Sequence, residues 1–258
     1  MNKVIWADDH NCQIDEIRFR VETGNALYNA LPEEENTFII GKSRRMIEVL
    51  LNLEFINDVK NICEIGIYKG GSVVFYHKLF NPAKIVAFDL QKDPPAPLER
   101  YIKNNALESV IKTHYEVDQA DQGLVEGLTA KDIGDDFYDI VIDDASHLLR
   151  PTRASFNSLF PKLRRGGYYL IEDWGWAHWN RSEWQENGGP WKEQQPLSNL
   201  IFEITMLMAS RPDLIESIRL LPAYAVIRKG AAANLCRNSE FDISQMILNR
   251  GNPVTLLS

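Results

Sequence analysis

The sequence lacks the features that would place it outside the ordinary globular proteins. Its 258 residues include three cysteines, Cys12, Cys63 and Cys236, with no CxxC pair, so neither a disulfide framework nor a zinc site is indicated. No run approaches 18 consecutive apolar residues, and the N-terminus shows no secretory signal. We therefore expect a reduced, cytoplasmic protein without a membrane partner.

Basic residues are also too few for a phosphate-backbone partner. Lysine and arginine number 28 against 36 acidic residues, which gives a net charge of −8. Because nucleic-acid binding depends on clustered Lys and Arg, we expect no nucleic-acid partner. The hydrophobic content of 45% suffices for a sizeable core, in one large α/β domain or two small ones.

Apolar runs alternate with helical patterns from residue 61 onward. The runs predicted as strands are 62–65, 84–88, 111–117, 138–142 and 168–171. Helices are predicted at 70–80, 97–107, 121–131, 151–164 and 197–208. Two closing runs, 215–221 and 223–228, are so close that an antiparallel hairpin is favoured. The pattern predicts an α/β fold: a doubly wound, mostly parallel seven-stranded sheet with a C-terminal antiparallel hairpin.

Three segments are distinguished along the chain. Residues 1–56 are expected to be a helical or irregular lead-in, helical or extended over 1–35, with a break at 32–35 and a helix at 42–56. Residues 57–230 are expected to be the main domain, and 231–258 a tail with one short helix around 242–249. Within the main domain, Pro151 suits the first position of its helix and Gly166-Gly167 suit a left-handed cap after it.

Acidic residues gather after two of the predicted strands. One run ends in Asp143, Asp144 and, three residues later, His147; the other ends in Glu172 and Asp173. Because the carboxyl ends of parallel strands meet at one edge of a sheet, these side chains are expected around one crevice. Carboxylates beside an imidazole suggest a hard-metal site with a base. Alternatively, some acids cap helices or brace the loop, Asp143 above all, and His147 is a surface residue.

A glycine-rich turn follows the first strand of the main domain. It reads Glu64-x-Gly66-x-x-x-Gly70-Gly71-Ser72. Glycines permit positive φ and a close approach of a ligand, and a helix N-terminus favours an anionic group. The spacing is not that of the dinucleotide motif, and a tight turn built for packing is the plainer alternative.

Acids also end the next two strands. Asp89 lies about 20 residues beyond the glycine turn, where a carboxylate can accept both hydrogen bonds from a ribose diol. Asp118 and Gln119 end the third strand and could bond an adenine edge. Either acid could instead cap the following helix. Suitable chemistry at three successive strand ends favours a nucleoside-type cofactor.

This ordered set resembles the class I S-adenosylmethionine-dependent methyltransferases, which have a Rossmann-like fold. The run Ile142–His147, with Gly166-Gly167 and Ile171-Glu-Asp173, is similar to metal-dependent sugar O-methyltransferases of the macrocin and mycinamicin type, and to the related cephalosporin-hydroxylase-like group. The resemblance covers roughly 60–230. It implies an O-methyltransferase for a sugar-like or polyketide natural product.

The resemblance also assigns roles to residues. It implies S-adenosylmethionine binding by Glu64, Gly66, Gly70, Ser72, Asp89, Asp118, Gln119 and Asp143. It implies Mg²⁺ binding by Asp144, Glu172 and Asp173. His147 is then the general base, acting beside Asp144 on a small-molecule acceptor with a hydroxyl or diol. A homo-oligomer is left open. The competing functions are a hydroxylase-like or catechol-type metalloenzyme and a non-catalytic cofactor-binding protein.

Five of the six tryptophans fall between residues 174 and 191, directly after the proposed ligands. They are Trp174, Trp176, Trp179, Trp184 and Trp191. Aromatic faces pack on sugars and planar rings, and the indole N–H can donate a hydrogen bond. We interpret this segment as an acceptor-binding lid. The alternative is that these rings only fill space beneath a loop or form a dimer contact.

Overall fold

Two units, Met1–Val117 and Asp118–Ser258, make up the chain. The computed structural model describes residues 2–24, 36–54, 58–186, 191–231 and 241–252. Within these ranges no helix combines the length and the apolarity needed to cross a membrane; the 13-residue helix Ser198–Ser210 is the longest of them.

The first unit begins with a four-stranded sheet. Its strands lie in the order β1 (Ile5–Trp6), β2 (Asn11–Ile14), β3 (Ile17–Val21) and β4 (Thr37–Ile40), with only β3–β4 parallel. Burial alternates along β2 and β3, as it does in strands with one covered face. Of the two conformations expected for residues 1–35, helical or extended, the described part is extended, but its assembly into a sheet was not predicted. The alternation of apolar and polar residues in these strands is too short to stand out from the polar residues that separate them. The predicted break at 32–35 lies outside the described residues.

Helix α1 (Arg44–Leu51) follows and is shorter than the predicted 42–56. It begins at Ser43, whose side-chain oxygen accepts a hydrogen bond from the Met46 amide at 3.3 Å. Residues 55–57 lie outside the described ranges.

The rest of the first unit alternates strictly between strands and helices. In chain order it contains β5 (Asn61–Ile65), α2 (Gly71–Phe80), β6 (Lys84–Phe88), α3 (Ala96–Asn104) and β7 (Ile111–His114). Strands β5, β6 and β7 pair in parallel. Strand β7 stops three residues earlier than predicted, since Glu116 adopts a φ of 57°, which an extended strand cannot contain.

The second unit continues with two further strand and helix pairs, and a hairpin near its end is followed by one short helix. It contains α4 (Gln122–Ile133), β8 (Tyr138–Asp143), α5 (Leu149–Leu159), β9 (Leu163–Glu172), a 3₁₀ turn (Trp176–His178), α6 (Ser182–Gln185), α7 (Ser198–Ser210), β10 (Ile215–Leu220), β11 (Tyr224–Lys229) and α8 (Ile243–Met246). Strands β8 and β9 are parallel, whereas β11 is antiparallel to both β9 and β10. The short helix predicted around 242–249 is present as α8.

Strands β5 to β11 form a mostly parallel sheet in the order β10-β11-β9-β8-β5-β6-β7. The predicted α/β fold with seven strands and a C-terminal antiparallel hairpin is therefore confirmed.

Two details around α5 differ from the prediction. Pro151 is the third residue of the helix, not the first, and the helix ends at Leu159. Gly166 and Gly167 lie inside β9 and do not cap the helix. The helix ends early because Pro161 has no N–H to continue it. Gly166 does adopt a positive φ of 68°, which explains the glycine, although in a strand.

Candidate active site

The carboxyl ends of β8 and β9 lie side by side in the second unit. In their parallel register, Ile142 is opposite Leu170 and Asp143 is opposite Ile171. The residues that follow each strand therefore emerge at one edge of the sheet, with Asp144 next in line after β8 and Glu172 ending β9. The two acidic strand ends are neighbours, as predicted. The roles of their side chains stay a prediction.

His147 lies beside Asp144 at this edge. Its Nε2 is 3.9 Å from Oδ1 of Asp144, and both side chains are partly exposed, at 17% and 24%. This distance is too long for a hydrogen bond. His147 and Asp173 both adopt positive φ, 54° and 49°. Strained non-glycine residues of this kind cluster at functional sites.

The three predicted metal ligands differ in their surroundings. Glu172 is buried, and its Oε1 accepts a hydrogen bond of 3.1 Å from the Tyr224 hydroxyl. Asp144 and Asp173 are half-buried. Among the described residues, no three acidic, histidine or cysteine side chains are arranged as a metal-binding group. The donors suit Mg²⁺ chemically, because it prefers carboxylate oxygens and keeps several waters.

Asp143 belongs to a buried polar network. Its carboxylate accepts hydrogen bonds from the Ser155 hydroxyl and, at 3.2 Å, from Nε2 of Gln119. Burial raises the pKa of Asp143 to about 6, and the bonds from Ser155 and Gln119 oppose that rise. Oε1 of Gln119 also accepts from the Ser146 amide at 3.0 Å. This network braces the loop after β8, which is the alternative considered for Asp143, and the amide of Gln119 is engaged within the protein.

Asp118 lies just outside this network. Its side chain is exposed, and Oδ1 accepts a hydrogen bond of 2.8 Å from the Ala120 amide. It therefore closes a local turn before α4. An adenine contact by Asp118 stays a prediction.

The glycine turn of the first unit is held by Asp89. Oδ2 of Asp89 accepts from the amides of Ile67 and Tyr68, at 2.7 and 2.8 Å, and Oδ1 accepts from the Gln91 amide at 2.8 Å. An ionised carboxylate has about four acceptor positions, so one is left for a ligand hydroxyl. Asp89 thus shapes the turn, in addition to the predicted ribose contact, which stays a prediction.

Glycines are required at several positions of this turn. Gly66 and Gly70 have φ of 98° and 81°. A Cβ on Gly71 would lie 2.0 Å from the carbonyl oxygen of Ile39, so β4 is packed directly on the start of α2. Glu64 is fully buried in β5, and Ser72 is half-buried in the first turn of α2. The turn brings these residues to the helix N-terminus, while their contacts with a cofactor stay a prediction.

Four of the clustered tryptophans pack on one another, and we call them the tryptophan cluster: Trp176, Trp179, Trp184 and Trp191. Ring centroids are 5.0 to 5.9 Å apart for the contacting pairs. The imidazole of His147 lies 6.3 Å from the ring of Trp191. The cluster therefore contacts the proposed base. Trp174 is separate, since its indole N–H donates to the carbonyl of Leu221 at 2.9 Å.

Sequence patterns gave no role to Tyr224. It lies within an apolar strand run, and its contact with Glu172 joins residues 52 positions apart. No local signal marks such a pair. Ser155 likewise has no role assigned from the sequence, and its bond to Asp143 is visible only in the fold.

Comparison with known proteins finds O-methyltransferases that are similar to part of this chain. The chain is 35% identical to demethylmacrocin O-methyltransferase of Streptomyces fradiae and 33% identical to mycinamicin VI 2''-O-methyltransferase of Micromonospora griseorubida. Each match spans 133 residues, covering 49% of this chain and 30% of the relative. The chain is similar to macrocin and mycinamicin O-methyltransferases. It spans about a third of their length, and no family model matches it.

A solved structure shares the fold. The methyltransferase of the mycinamycin biosynthetic pathway, determined in complex with Mg, SAH and mycinamycin VI, superimposes with a TM-score of 0.51. The superposition covers 72% of this chain and 49% of that one, at 24% identity. At this identity the likeness shows the Rossmann-like fold alone.

Proposed function

We propose that this chain is an S-adenosylmethionine-dependent, Mg²⁺-dependent O-methyltransferase that acts on a hydroxyl of a sugar-like or polyketide natural product. The observation that carries the proposal is the parallel pairing of β8 with β9, which brings Asp144 and Glu172 to one edge of the sheet. His147 lies 3.9 Å from Asp144 at that edge. The likeness to demethylmacrocin and mycinamicin VI O-methyltransferases supports the same activity.

We assign the methyl donor to the turn after β5. Asp89 fixes the amides of Ile67 and Tyr68 and keeps acceptor capacity for a ribose hydroxyl. Positive φ at Gly66 and Gly70 sets the shape of the turn, in which Gly70 packs against Leu98, and the start of α2 favours the carboxylate of the donor. Glu64 and Ser72 are further proposed contacts of the donor near this turn. Asp118, Gln119 and Asp143 are the proposed contacts of its adenine end.

His147 is proposed to take the proton of the acceptor hydroxyl at Nε2. The acceptor oxygen forms its new bond to the methyl carbon as the carbon–sulfur bond of the sulfonium breaks, and S-adenosylhomocysteine leaves as a neutral thioether. Asp144 stabilises the imidazolium that results, because opposite charges attract strongly in a partly dehydrated site. Transfer from a sulfonium then requires mainly positioning of the two reactants.

Asp144, Glu172 and Asp173 are the residues that would hold Mg²⁺. A bound divalent cation lowers the pKa of a coordinated hydroxyl and so eases its deprotonation. Tyr224 holds the Glu172 carboxylate in a fixed position through its hydrogen bond. Residues that hydrogen-bond to a metal ligand commonly orient it in this way. The aspartates supply the remaining oxygens.

The acceptor is proposed to contact the tryptophan cluster. Three of its members, Trp179, Trp184 and Trp191, are half-buried and present part of their rings to solvent. Such faces suit the apolar side of a sugar or macrolide ring. Because Trp191 lies 6.3 Å from the His147 imidazole, a ring held there would present its hydroxyls near the base. The N-terminal residues 1–56 are a further proposed contributor.

Two measurements test this function. S-adenosylhomocysteine should stabilise the protein, by about 2.7 kcal/mol at a hundred times its dissociation constant, and no thermal shift at millimolar ligand would exclude methyl-donor binding. His147→Ala and Glu172→Gln should each abolish methylation of an accepted diol while this shift is kept. His178→Ala, which removes an imidazole 2.8 Å from Ser198, is the matched control and should stay active. Unchanged turnover in His147→Ala would exclude it as the base.

We also propose that the protein is cytoplasmic, as predicted from the sequence. We propose that it has no nucleic-acid partner. Metal analysis of the purified protein separates Mg²⁺ from iron, and therefore the methyltransferase from the hydroxylase-like alternative.

A further inference from the structure

His147 adopts a backbone conformation that it does not favour. Its φ of 54° lies in the left-handed region, which is unfavourable for residues that carry a Cβ. Such a conformation persists only where neighbouring contacts impose it. The direction of the imidazole depends on this backbone, so whatever fixes the backbone also fixes the proposed base.

Trp176 provides that contact from the neighbouring loop. Its indole N–H donates a hydrogen bond of 2.8 Å to the carbonyl oxygen of His147. The side chain is only 5% exposed, and an indole has no other donor or acceptor to satisfy. The Trp176 amide also donates to the carbonyl of Asp173, at 3.3 Å. Trp176 therefore ties the loop after β8 to the loop after β9.

The indole of Trp176 is also connected to the His147 imidazole through packing against Trp191. Trp191 packs edge-on against Trp176, with centroids 5.0 Å apart, and lies 6.3 Å from the His147 ring. Two contacts thus act on His147, a hydrogen bond to its carbonyl and a tilted aromatic ring near its side chain. Both depend on the position of one buried indole.

We infer that Trp176 is a positioning residue for His147. Through its hydrogen bond and its packing on Trp191, it holds the left-handed backbone of His147 and directs Nε2 toward the acceptor hydroxyl beside Asp144. This inference rests on the proposed function for its kinetic consequence, while the positioning itself is a property of the unliganded protein.

The test compares two phenylalanine substitutions in one loop. Trp176→Phe removes the bond to His147, whereas Trp174→Phe removes an equivalent indole bond to the carbonyl of Leu221. With ¹³C/¹⁵N-histidine labelling, the protein gives five imidazole signals, of which His147 is assigned through His147→Gln. In Trp176→Phe the His147 signal should move or broaden, and kcat should fall about 10-fold with the KM for S-adenosylmethionine changed less than about twofold. Trp174→Phe should leave the His147 signal in place.

The outcomes distinguish a failure of the positioning role of Trp176 from a failure of the proposed function. An unmoved His147 signal in Trp176→Phe, or equal shifts in both variants, overturns the positioning role. A wild-type protein that methylates no acceptor defeats the proposed function, yet the imidazole signals still judge Trp176. The wild-type protein offers a further measurement that needs no stable variant: the indole N–H of Trp176 should exchange with solvent more slowly than that of Trp179. Equal or faster exchange overturns the inference.

Discussion

The hydroxyl of Tyr224 donates a hydrogen bond of 3.1 Å to Oε1 of Glu172, and both side chains are buried. The two residues are directly paired across the antiparallel strands β9 and β11. The C-terminal hairpin therefore does more than complete the sheet, because it supplies the group that holds a proposed metal ligand. A carboxylate held in this way loses little freedom when an ion binds.

Tyr224→Phe tests this relationship. Without the hydroxyl, Glu172 loses a hydrogen-bond donor, so we expect a loss of about 1 kcal/mol in the free energy of unfolding and about 10-fold weaker divalent-cation binding. Tyr138→Phe is the matched control, since its buried hydroxyl lies at the opposite end of β8, 3.4 Å from Oγ1 of Thr129. Urea unfolding and cation titration separate the two effects. Equal cation affinities in both variants would contradict the role of Tyr224.

The glycine turn gives a second prediction. Gly71→Ala places a methyl group 2.0 Å from the Ile39 carbonyl, so β4 or α2 must move. We expect the free energy of unfolding to fall by at least about 2 kcal/mol, with weakened S-adenosylhomocysteine binding. Gly127→Ala in α4, where no atom lies within 4 Å of the new methyl, should instead stabilise by about 0.5–1 kcal/mol. Thermal unfolding with and without ligand measures both, and a tolerated Gly71→Ala would refute the close packing.

Lys229 gives a prediction of stability and of its pH dependence. Its Nζ donates to the carbonyls of Phe160, Pro161 and Leu163, at 2.9, 3.0 and 2.6 Å. Lys229→Met leaves these buried carbonyls without that donor, so we expect a loss of roughly 2–4 kcal/mol at pH 7. Urea unfolding of both proteins at pH 7 measures it.

Burial also lowers the pKa of Lys229 from 10.5 to about 8. Between these values the unfolded chain binds more protons than the folded protein does, so the contribution of this group to stability rises with pH. Relative to Lys229→Met, the wild-type protein should therefore gain up to about 3 kcal/mol between pH 8 and 10.5. A pH-independent difference between the two proteins would contradict the lowered pKa.

Much of the main sheet is predictable from the sequence, because its strands are short apolar runs with clear punctuation. Strand β6 matches its predicted range residue for residue, since Pro82 precedes it and Asp89 follows it. The adjacency of the acidic ends of β8 and β9 follows from the same logic, because consecutive parallel strands usually pair.

Contacts between distant segments could not be predicted. The pairing of Tyr224 with Glu172 and the bond from Trp176 to His147 depend on tertiary packing that no local pattern encodes. Gln119 illustrates the same limit, since the bond from its amide to Asp143 could not be predicted, while its contact with an adenine edge stays a prediction. The N-terminal sheet was not predicted because β2 and β3 have only four and five residues. Strands this short contain too few alternations of apolar and polar residues to be recognised.

The central claim is that the acidic ends of β8 and β9 form one divalent-cation site, and Mn²⁺ binding followed by electron paramagnetic resonance tests it most directly. The wild-type protein should bind one Mn²⁺, which Mg²⁺ displaces, and Glu172→Gln should weaken that binding at least about 10-fold, because a coordinating oxygen charge is removed. His147→Gln should bind the ion as the wild type does. A wild-type protein that binds no Mn²⁺, or a Glu172→Gln variant with wild-type affinity, would contradict the account.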